Sequence, residues 1–146
     1  MKIEGVGHVV LKVRDLERST RFYREVLGLR EVARFPGRMV FFSAGDNHHD
    51  LAILAVGPTA PAAERKGVGL YHVAFKIGNS LDTLREARAR LESQGVRILG
   101  MSDHRVSQSV YLEDPDGNGL ELFVDANPGI WAKDPTLVAT IEPLEL

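Results

Sequence analysis

The sequence contains no cysteine among its 146 residues. This absence excludes disulfide bonds, zinc sites built from thiolates and catalysis by a cysteine nucleophile. Long apolar runs are missing too, since no stretch approaches the roughly 20 residues that span a membrane. The N-terminal "MKIEGVGHVVLKV" is typical of a strand and not of a secretion signal. We therefore expect a cytoplasmic protein with no membrane partner.

An excess of one charge sign is also missing. The net charge is -2 and no long basic run occurs, which argues against nucleic acid as a partner. The composition, 44% hydrophobic and 26% charged, is that of an ordinary globular protein with enough residues for a real core.

The chain carries an internal repeat. "GVGHVVLKV" (5–13) matches "GLYHVAFKI" (69–77), and both segments are rich in the β-branched and aromatic residues that favour strands. A helical pattern follows each segment. Asp15 is the expected N-cap and Gly28 the expected end of the first helix, and Ser80 and Gly95 have these roles in the second.

Three short strands are predicted after each helix. They are "REVARF", "RMVFFSA" and "DLAILAV" in the first half, and "RILGMS", "SVYLED" and "LELFVD" in the second. Each half is thus predicted to be β-α-β-β-β, an α+β fold. We expect paired modules over 1–126, with the first at 1–56, a linker at 57–68 and the second at 69–126. Residues 127–146 form a C-terminal tail.

Polar residues recur at matching positions. His8 and His72 occupy the same place in the two repeated strands, and Glu121 lies in the last strand of the second half. Two imidazoles and one carboxylate make a facial triad that leaves coordination positions open on a divalent metal. Depending on a one-residue gap, Glu121 aligns with Leu51 or Ala52 in the first half, and neither binds metal. The alternatives are an ordinary solvated carboxylate for Glu121 and ordinary core or surface histidines for His8 and His72.

The chain resembles the vicinal oxygen chelate superfamily, which includes glyoxalase I, fosfomycin-resistance thiol transferases, bleomycin-binding proteins and type I extradiol dioxygenases. The resemblance covers about residues 4–126. It rests on "GHVVLKVRDLERSTRFYREVLGL", "GLYHVAFKI" and "YLEDPDGNGLELF" in this order. It implies paired βαβββ modules that form a cup-shaped, incomplete mixed β-barrel around a metal held by His8, His72 and Glu121.

Two further segments resemble ring-cleaving dioxygenases. "HHDLAI" resembles the segment with the acid–base histidine, which implies this role for His49, with His48 as its neighbour. "DHRVSQSVYLEDPDGN" resembles the segment with a substrate-binding histidine and tyrosine, here His104 and Tyr111. For His48, His49 and His104 the alternative is loop residues in water.

The resemblance implies an extradiol dioxygenase that takes a small aromatic diol and dioxygen. Fe(II) is the expected metal, Mn(II) is an alternative, and Zn or Ni is expected to occupy the site in vitro. The alternatives are a fosfomycin-type thiol transferase, a glyoxalase-like lyase and a bleomycin-type binding protein. The missing fourth ligand counts against glyoxalase I.

The sequence also suggests an oligomeric state and a role for the C-terminal tail. We expect a homodimer, because open sheet edges usually need covering, with modules paired within one chain or exchanged between two. Trp131 in the tail is expected either to close over the cup or to pin the tail to the surface.

Overall fold

The chain divides into two compact units, and each contains one β-sheet. The structure, a computed structural model, describes residues 1–64 and 66–146. Arg65, in the predicted linker 57–68, lies outside the described residues. Unit 1 comprises Met1–Lys66 and Asp114–Asn118, and unit 2 comprises Gly67–Glu113 and Gly119–Leu146.

The sheet of unit 1 is mixed. Its strands are β1 (Val9–Val13), β2 (Arg30–Phe35), β3 (Met39–Ser43) and β4 (Leu51–Ala55), in the order β1-β4-β3-β2. β1 runs parallel to β4, and the other neighbours are antiparallel. The fully buried Val40, Phe42 and Ile53 place the core on the face of this sheet that the first helix covers.

The first helix follows its predicted start and stop signals. Helix α1 (Leu16–Arg21) begins after Asp15, whose carboxylate accepts a hydrogen bond from the backbone N–H of Arg18 at 2.9 Å. It continues into a π-helical turn, Phe22–Val26, which the sequence pattern did not predict. Gly28 ends it with φ 78°, a conformation that glycine adopts without strain.

The sheet of unit 2 repeats this plan and adds one strand. Its five strands are β5 (Val73–Gly78), β6 (Gly100–Asp103), β7 (Ser107–Glu113), β8 (Gly119–Asp125) and β9 (Glu142–Pro143), in the order β5-β8-β7-β6-β9. β5 and β8 are parallel, and the other neighbours are antiparallel. Two mixed, open sheets with helices confirm the predicted α+β class and βαβββ order.

Helix α2 (Leu81–Ser93) packs on the sheet of unit 2 through the buried Leu84 and Leu91. The hydroxyl of Ser80 accepts from the N–H of Thr83, and Gly95 has φ 72°. Both predicted boundaries of this helix are confirmed.

Several strand boundaries differ from the prediction. His8 and His72 do not lie within strands, because β1 starts at Val9 and β5 at Val73. Each histidine is the residue directly before a strand, a difference within the usual uncertainty of strand ends. β6 starts at Gly100 and not at Arg97.

The C-terminal tail has structure of its own. Helix α3 (Pro128–Lys133) and a 3₁₀ turn (Pro135–Ala139) precede β9, which pairs with the edge strand β6. Trp131 is 50% exposed. Among the described residues, no helix is long and apolar enough to cross a membrane.

Candidate metal and substrate site

Strand register fixes the position in unit 1 that corresponds to Glu121. In unit 2, Ala74 pairs with Glu121, and in unit 1, Val10 pairs with Ala52. Ala74 and Val10 are equivalent, since each lies two residues after the histidine of its module. The position equivalent to Glu121 is therefore Ala52 and not Leu51, and its methyl group binds no metal.

Glu121 is a buried carboxylate with both oxygens engaged. Its residue exposure is only 8%, so it is not a solvated surface group. Oε2 lies 2.9 Å from Nε2 of His72, and Oε1 accepts a hydrogen bond from the Ser109 hydroxyl at 2.5 Å. Two of the three predicted ligands thus lie side by side in unit 2.

Gly119 provides the room beside His72. A Cβ at this position would lie 2.4 Å from the carbonyl oxygen of Tyr71 and 3.3 Å from Cβ of His72. Atoms do not approach a backbone oxygen so closely. Any larger residue would therefore displace the segment that carries His72.

Tyr111 and His104 form a hydrogen-bonded pair in the same unit. Nε2 of His104 lies 2.8 Å from the Tyr111 hydroxyl, and the Tyr111 ring lies 5.8 Å from that of His72. Burial and then the negative charge of Glu121 raise the pKa of Tyr111 above its ordinary value. Tyr111 therefore stays a neutral phenol at physiological pH.

The remaining histidines lie together in unit 1. The ring centroids of His8 and His49 are 4.3 Å apart, and Nδ1 of His48 lies 2.6 Å from Nδ1 of His49. The edge of Phe41 also meets the His49 ring. Desolvation, followed by the repulsion of His8 and His48, lowers the pKa of His49, which favours its neutral, proton-accepting form.

The loop that carries His48 and His49 is held by hydrogen bonds. Asn47 accepts from the N–H of His48 and donates to the carbonyl of Gly7. The Asp50 carboxylate accepts from the N–H of Ala44 at 2.7 Å. This loop is therefore anchored beside His8 and is not a freely solvated turn.

The predicted residues thus fall into two groups. His72, Glu121, Tyr111 and His104 lie together in unit 2, and His8, His48 and His49 lie together in unit 1. In the part of the chain that the structure describes, neither unit by itself holds three or more His, Asp or Glu side chains arranged to bind a metal ion. A site that draws on both units stays a prediction.

The donor set of unit 2 fits a metal. A buried carboxylate next to an imidazole nitrogen is a costly arrangement unless a cation or proton compensates its charge. Imidazole nitrogen and carboxylate oxygen are ligands for Fe(II), Mn(II) and Zn(II). His72 and Glu121 are therefore suited to contribute two ligands to a divalent ion.

Sequence reasoning missed the ionic cluster around the "DPDGN" turn, which it treated as turn residues only. The buried Asp116 accepts from Nε of Arg14 at 2.7 Å and from Nη2 of Arg18 at 2.6 Å. The buried Asp114 accepts from the Tyr23 hydroxyl at 2.8 Å. The available signal was the pair of aspartates in the turn, together with Arg14 just before the first helix and Arg18 within it.

Sequence reasoning also missed Ser109, because a serine within a strand carries no signal of its own. Ser109 lies on β7, which pairs with β8, and Glu121 lies on β8. Only this strand pairing shows that the two side chains are neighbours. The Ser109 hydroxyl is then the group that meets the carboxylate.

Comparison with known proteins identifies the family of the chain. Residues 5–122 match the family model of the Glyoxalase/Bleomycin resistance protein/Dioxygenase superfamily. The chain therefore belongs to this superfamily, and its two mixed sheets are those of the vicinal oxygen chelate fold.

Relatives and solved structures span several activities. The chain is 39% identical over 130 residues to a catechol-2,3-dioxygenase of Bacillus subtilis (strain 168). This alignment covers 88% of this chain but only 44% of that protein. It is 30% identical to glutathione transferase FosA of Serratia marcescens, covering 84% of this chain and 82% of the relative. A glyoxalase/dioxygenase structure from Nostoc punctiforme has the same fold, with a TM-score of 0.71, 24% identity and coverage of 85% and 92%.

The chain spans less than half the length of the Bacillus subtilis relative. The activity of that protein is therefore carried to this chain only as a proposal.

Proposed function

We propose that the protein is a metal-dependent extradiol dioxygenase that cleaves a catechol-type ring with dioxygen. The observation that supports it best is the arrangement in unit 2. There the buried Glu121 meets His72, and the Tyr111–His104 pair lies beside them. A ligand pair next to two hydrogen-bonding groups suits a chelating diol.

In this proposal His8, His72 and Glu121 hold one divalent metal, most suitably Fe(II), with Mn(II) as the alternative. When bound, the metal would supply open positions for the diol and for dioxygen and the redox chemistry between them. The same ligands can also hold Zn or Ni in a purified sample.

The side chains of the chain itself orient the diol and move protons. His49, whose neutral form is favoured, removes a hydroxyl proton from the diol and returns it during ring opening. His104 and Tyr111 bind the diol as a hydrogen-bonded pair, in which the Tyr111 oxygen makes the hydrogen bond to the diol. His48 contacts His49 and carries no role of its own.

Metal analysis and catechol turnover test the proposal. Protein purified without oxygen and supplied with Fe(II) should bind one equivalent of metal and convert catechols to yellow ring-fission products, followed by absorbance. His72→Ala and Glu121→Gln should lower metal content sharply, the latter because it removes the only anionic ligand. Normal metal content in both variants would refute the ligand assignment.

A second candidate is a fosfomycin-type thiol transferase. The chain spans 82% of the Serratia marcescens glutathione transferase against 44% of the Bacillus subtilis dioxygenase, and a three-ligand site is compatible with both. Turnover of fosfomycin with a thiol, in the absence of catechol cleavage, would favour this candidate.

A glyoxalase-like lyase has less support, because Ala52 stands at the position equivalent to Glu121. Four protein ligands on the metal would make the lyase the leading candidate again. Binding of bleomycin without any turnover would indicate a ligand-binding resistance protein.

We also propose that the protein is a cytoplasmic homodimer. β2 is an edge strand of its sheet and carries Phe35, which is 57% exposed. Exposed edges of this kind are usually covered. Light scattering coupled to gel filtration should give twice the mass of the chain, and a monomer at micromolar concentration would contradict this.

A further inference from the structure

Thr140 in the C-terminal segment lies next to the proposed substrate-binding histidine, His104. Nδ1 of His104 lies 2.7 Å from the backbone carbonyl oxygen of Thr140, and Nε2 of the same ring lies 2.8 Å from the Tyr111 hydroxyl. Both ring nitrogens thus have one partner each. The two partners differ in kind, because a carbonyl only accepts hydrogen bonds whereas a hydroxyl also donates.

This difference determines where the protons lie. In the neutral ring, one nitrogen carries hydrogen and the other a lone pair. Nδ1 must carry the hydrogen, because Thr140 offers only an acceptor. Nε2 then accepts, so the Tyr111 hydroxyl donates its proton to His104. The oxygen of Tyr111 is left with lone pairs and no proton to offer.

The carbonyl of Thr140 is held in place by its neighbours. The N–H of Thr140 donates to the carbonyl of Leu137 at 2.9 Å, and β9 begins two residues later and pairs with β6. Glu142 on β9 also accepts from Arg105 at 2.6 Å.

His104 is fixed from its own side as well. It follows β6 directly, and its N–H donates to the carbonyl of Ser107 at 2.9 Å. Histidine and carbonyl are therefore anchored on both sides of their contact.

We propose that the Thr140 carbonyl fixes His104 as the Nδ1–H tautomer, so that Tyr111 accepts a hydrogen bond from a substrate hydroxyl and donates none. The tail is in this way a positioning element for the substrate site. The inference rests on the proposed function, because it assumes that Tyr111 faces the substrate. The inference also specifies the substrate group at this position. The group that contacts the Tyr111 oxygen must be a protonated hydroxyl.

Nitrogen NMR of the full-length chain tests the tautomer directly. The protein is labelled with ¹⁵N, loaded with diamagnetic Zn(II) and measured near pH 8. The correlations between the ring nitrogens of His104 and its carbon-bound ring protons should then have the pattern of the Nδ1–H form. The signal is identified by its loss in His104→Asn. An Nε2–H pattern, or an average of the two forms, overturns the inference.

A change of one backbone atom tests whether the Thr140 carbonyl fixes the tautomer of His104. Joining a synthetic 139–146 peptide to the rest of the chain, with the joining cysteine desulfurised to Ala139, allows an ester to replace the Thr140–Ile141 amide. An ester carbonyl is a weaker acceptor. The Nε2–H population should rise about two- to tenfold, the scale of one hydrogen bond. An ester at Leu144–Glu145 is the matched control and should change nothing. Equal spectra from the two esters overturn the role of Thr140.

Catechol binding separates this inference from the proposed function. Tyr111→Phe should leave His104 in the Nδ1–H form and raise the KM for catechol about two- to tenfold, the loss of one accepted hydrogen bond. A chain with Nε2–H His104 that cleaves catechol overturns the inference alone. A chain with Nδ1–H His104 that neither binds nor cleaves catechol supports the tautomer and overturns the proposed function.

Discussion

The hydroxyl of Ser109 on β7 donates a hydrogen bond to Oε1 of Glu121 on β8. Because Oε1 is occupied in this way, Oε2 is the oxygen presented beside His72. Groups that hold a metal ligand by a hydrogen bond typically change metal affinity about 10- to 100-fold when removed. Ser109→Ala should therefore weaken metal binding by about this factor, measured by titrating metal-free protein with Co(II) or Zn(II).

A matched serine separates metal affinity from stability. Ser19 is as fully buried as Ser109 and also donates to a carboxylate, that of Asp116. Ser19→Ala should lower the melting temperature and leave metal affinity unchanged, and Ser109→Thr should retain most of the affinity. Equal metal affinity in Ser109→Ala and Ser19→Ala would mean that Ser109 has only a packing role.

Gly119 limits what can stand beside His72. Gly119→Ala would place a methyl group 2.4 Å from the Tyr71 carbonyl oxygen, so the segment with His72 must move. Metal affinity should fall at least about tenfold, on the scale of a displaced ligand environment. Gly100→Ala is the control, because a Cβ there meets no atom within 4 Å. If both variants bind metal like the unmodified chain, the close approach at Gly119 does not position His72.

The ion pairs of Asp116 should appear in the pH dependence of stability. Burial raises the pKa of Asp116, but the hydrogen bonds from Arg14 and Arg18 outweigh it and leave the pKa below its ordinary value. The folded state thus binds this proton more weakly than the unfolded state. Its contribution is full above the ordinary aspartate value of about 4 and is lost as the pH falls through the lower, folded value.

Asp116→Asn should accordingly lower the free energy of unfolding by about 2–3 kcal/mol near pH 7, the scale of hydrogen bonds to a charged group. The difference from the unmodified chain should shrink as the pH falls from about 4 towards the lower, folded pKa of Asp116, because the unfolded chain takes up this proton first. Urea unfolding at several pH values measures it. Asp82→Asn, which removes an exposed ion pair, is the control and should cost less than about 1 kcal/mol. A difference for Asp116→Asn that stays constant down to pH 2 would contradict this account.

Local signals predicted most of the fold. Asp15 and Ser80 cap their helices as expected because an N-cap depends on a few neighbouring residues. The repeat around His8 and His72 predicted the common plan of the two sheets. Strand register was not predictable to one residue, so Ala52 was identified as the equivalent of Glu121 only from the pairing.

Long-range partners could not be read from the sequence. Ser109, Thr140 and Asp116 each act through a residue at least 12 positions away. No local pattern marks such a contact, since a serine hydroxyl, a backbone carbonyl or a turn aspartate is common in any chain. Supporting residues of this kind can therefore be identified only from the folded structure, in which distant strands and the C-terminal tail are in contact.

His49 and His48 provide the sharpest test of the proposed chemistry. The His49 ring lies against that of the proposed ligand His8, whereas His48 contacts His49. If His49 is the acid–base group, His49→Asn should leave metal content near normal and cut catechol turnover about 10²- to 10⁴-fold, the usual effect of losing a general acid or base. His48→Asn should reduce turnover much less, because its imidazole does not transfer the proton. Metal content by elemental analysis and kcat under saturating oxygen separate these outcomes. Loss of metal from His49→Asn, or equal losses of turnover from the two variants, would refute the acid–base role of His49.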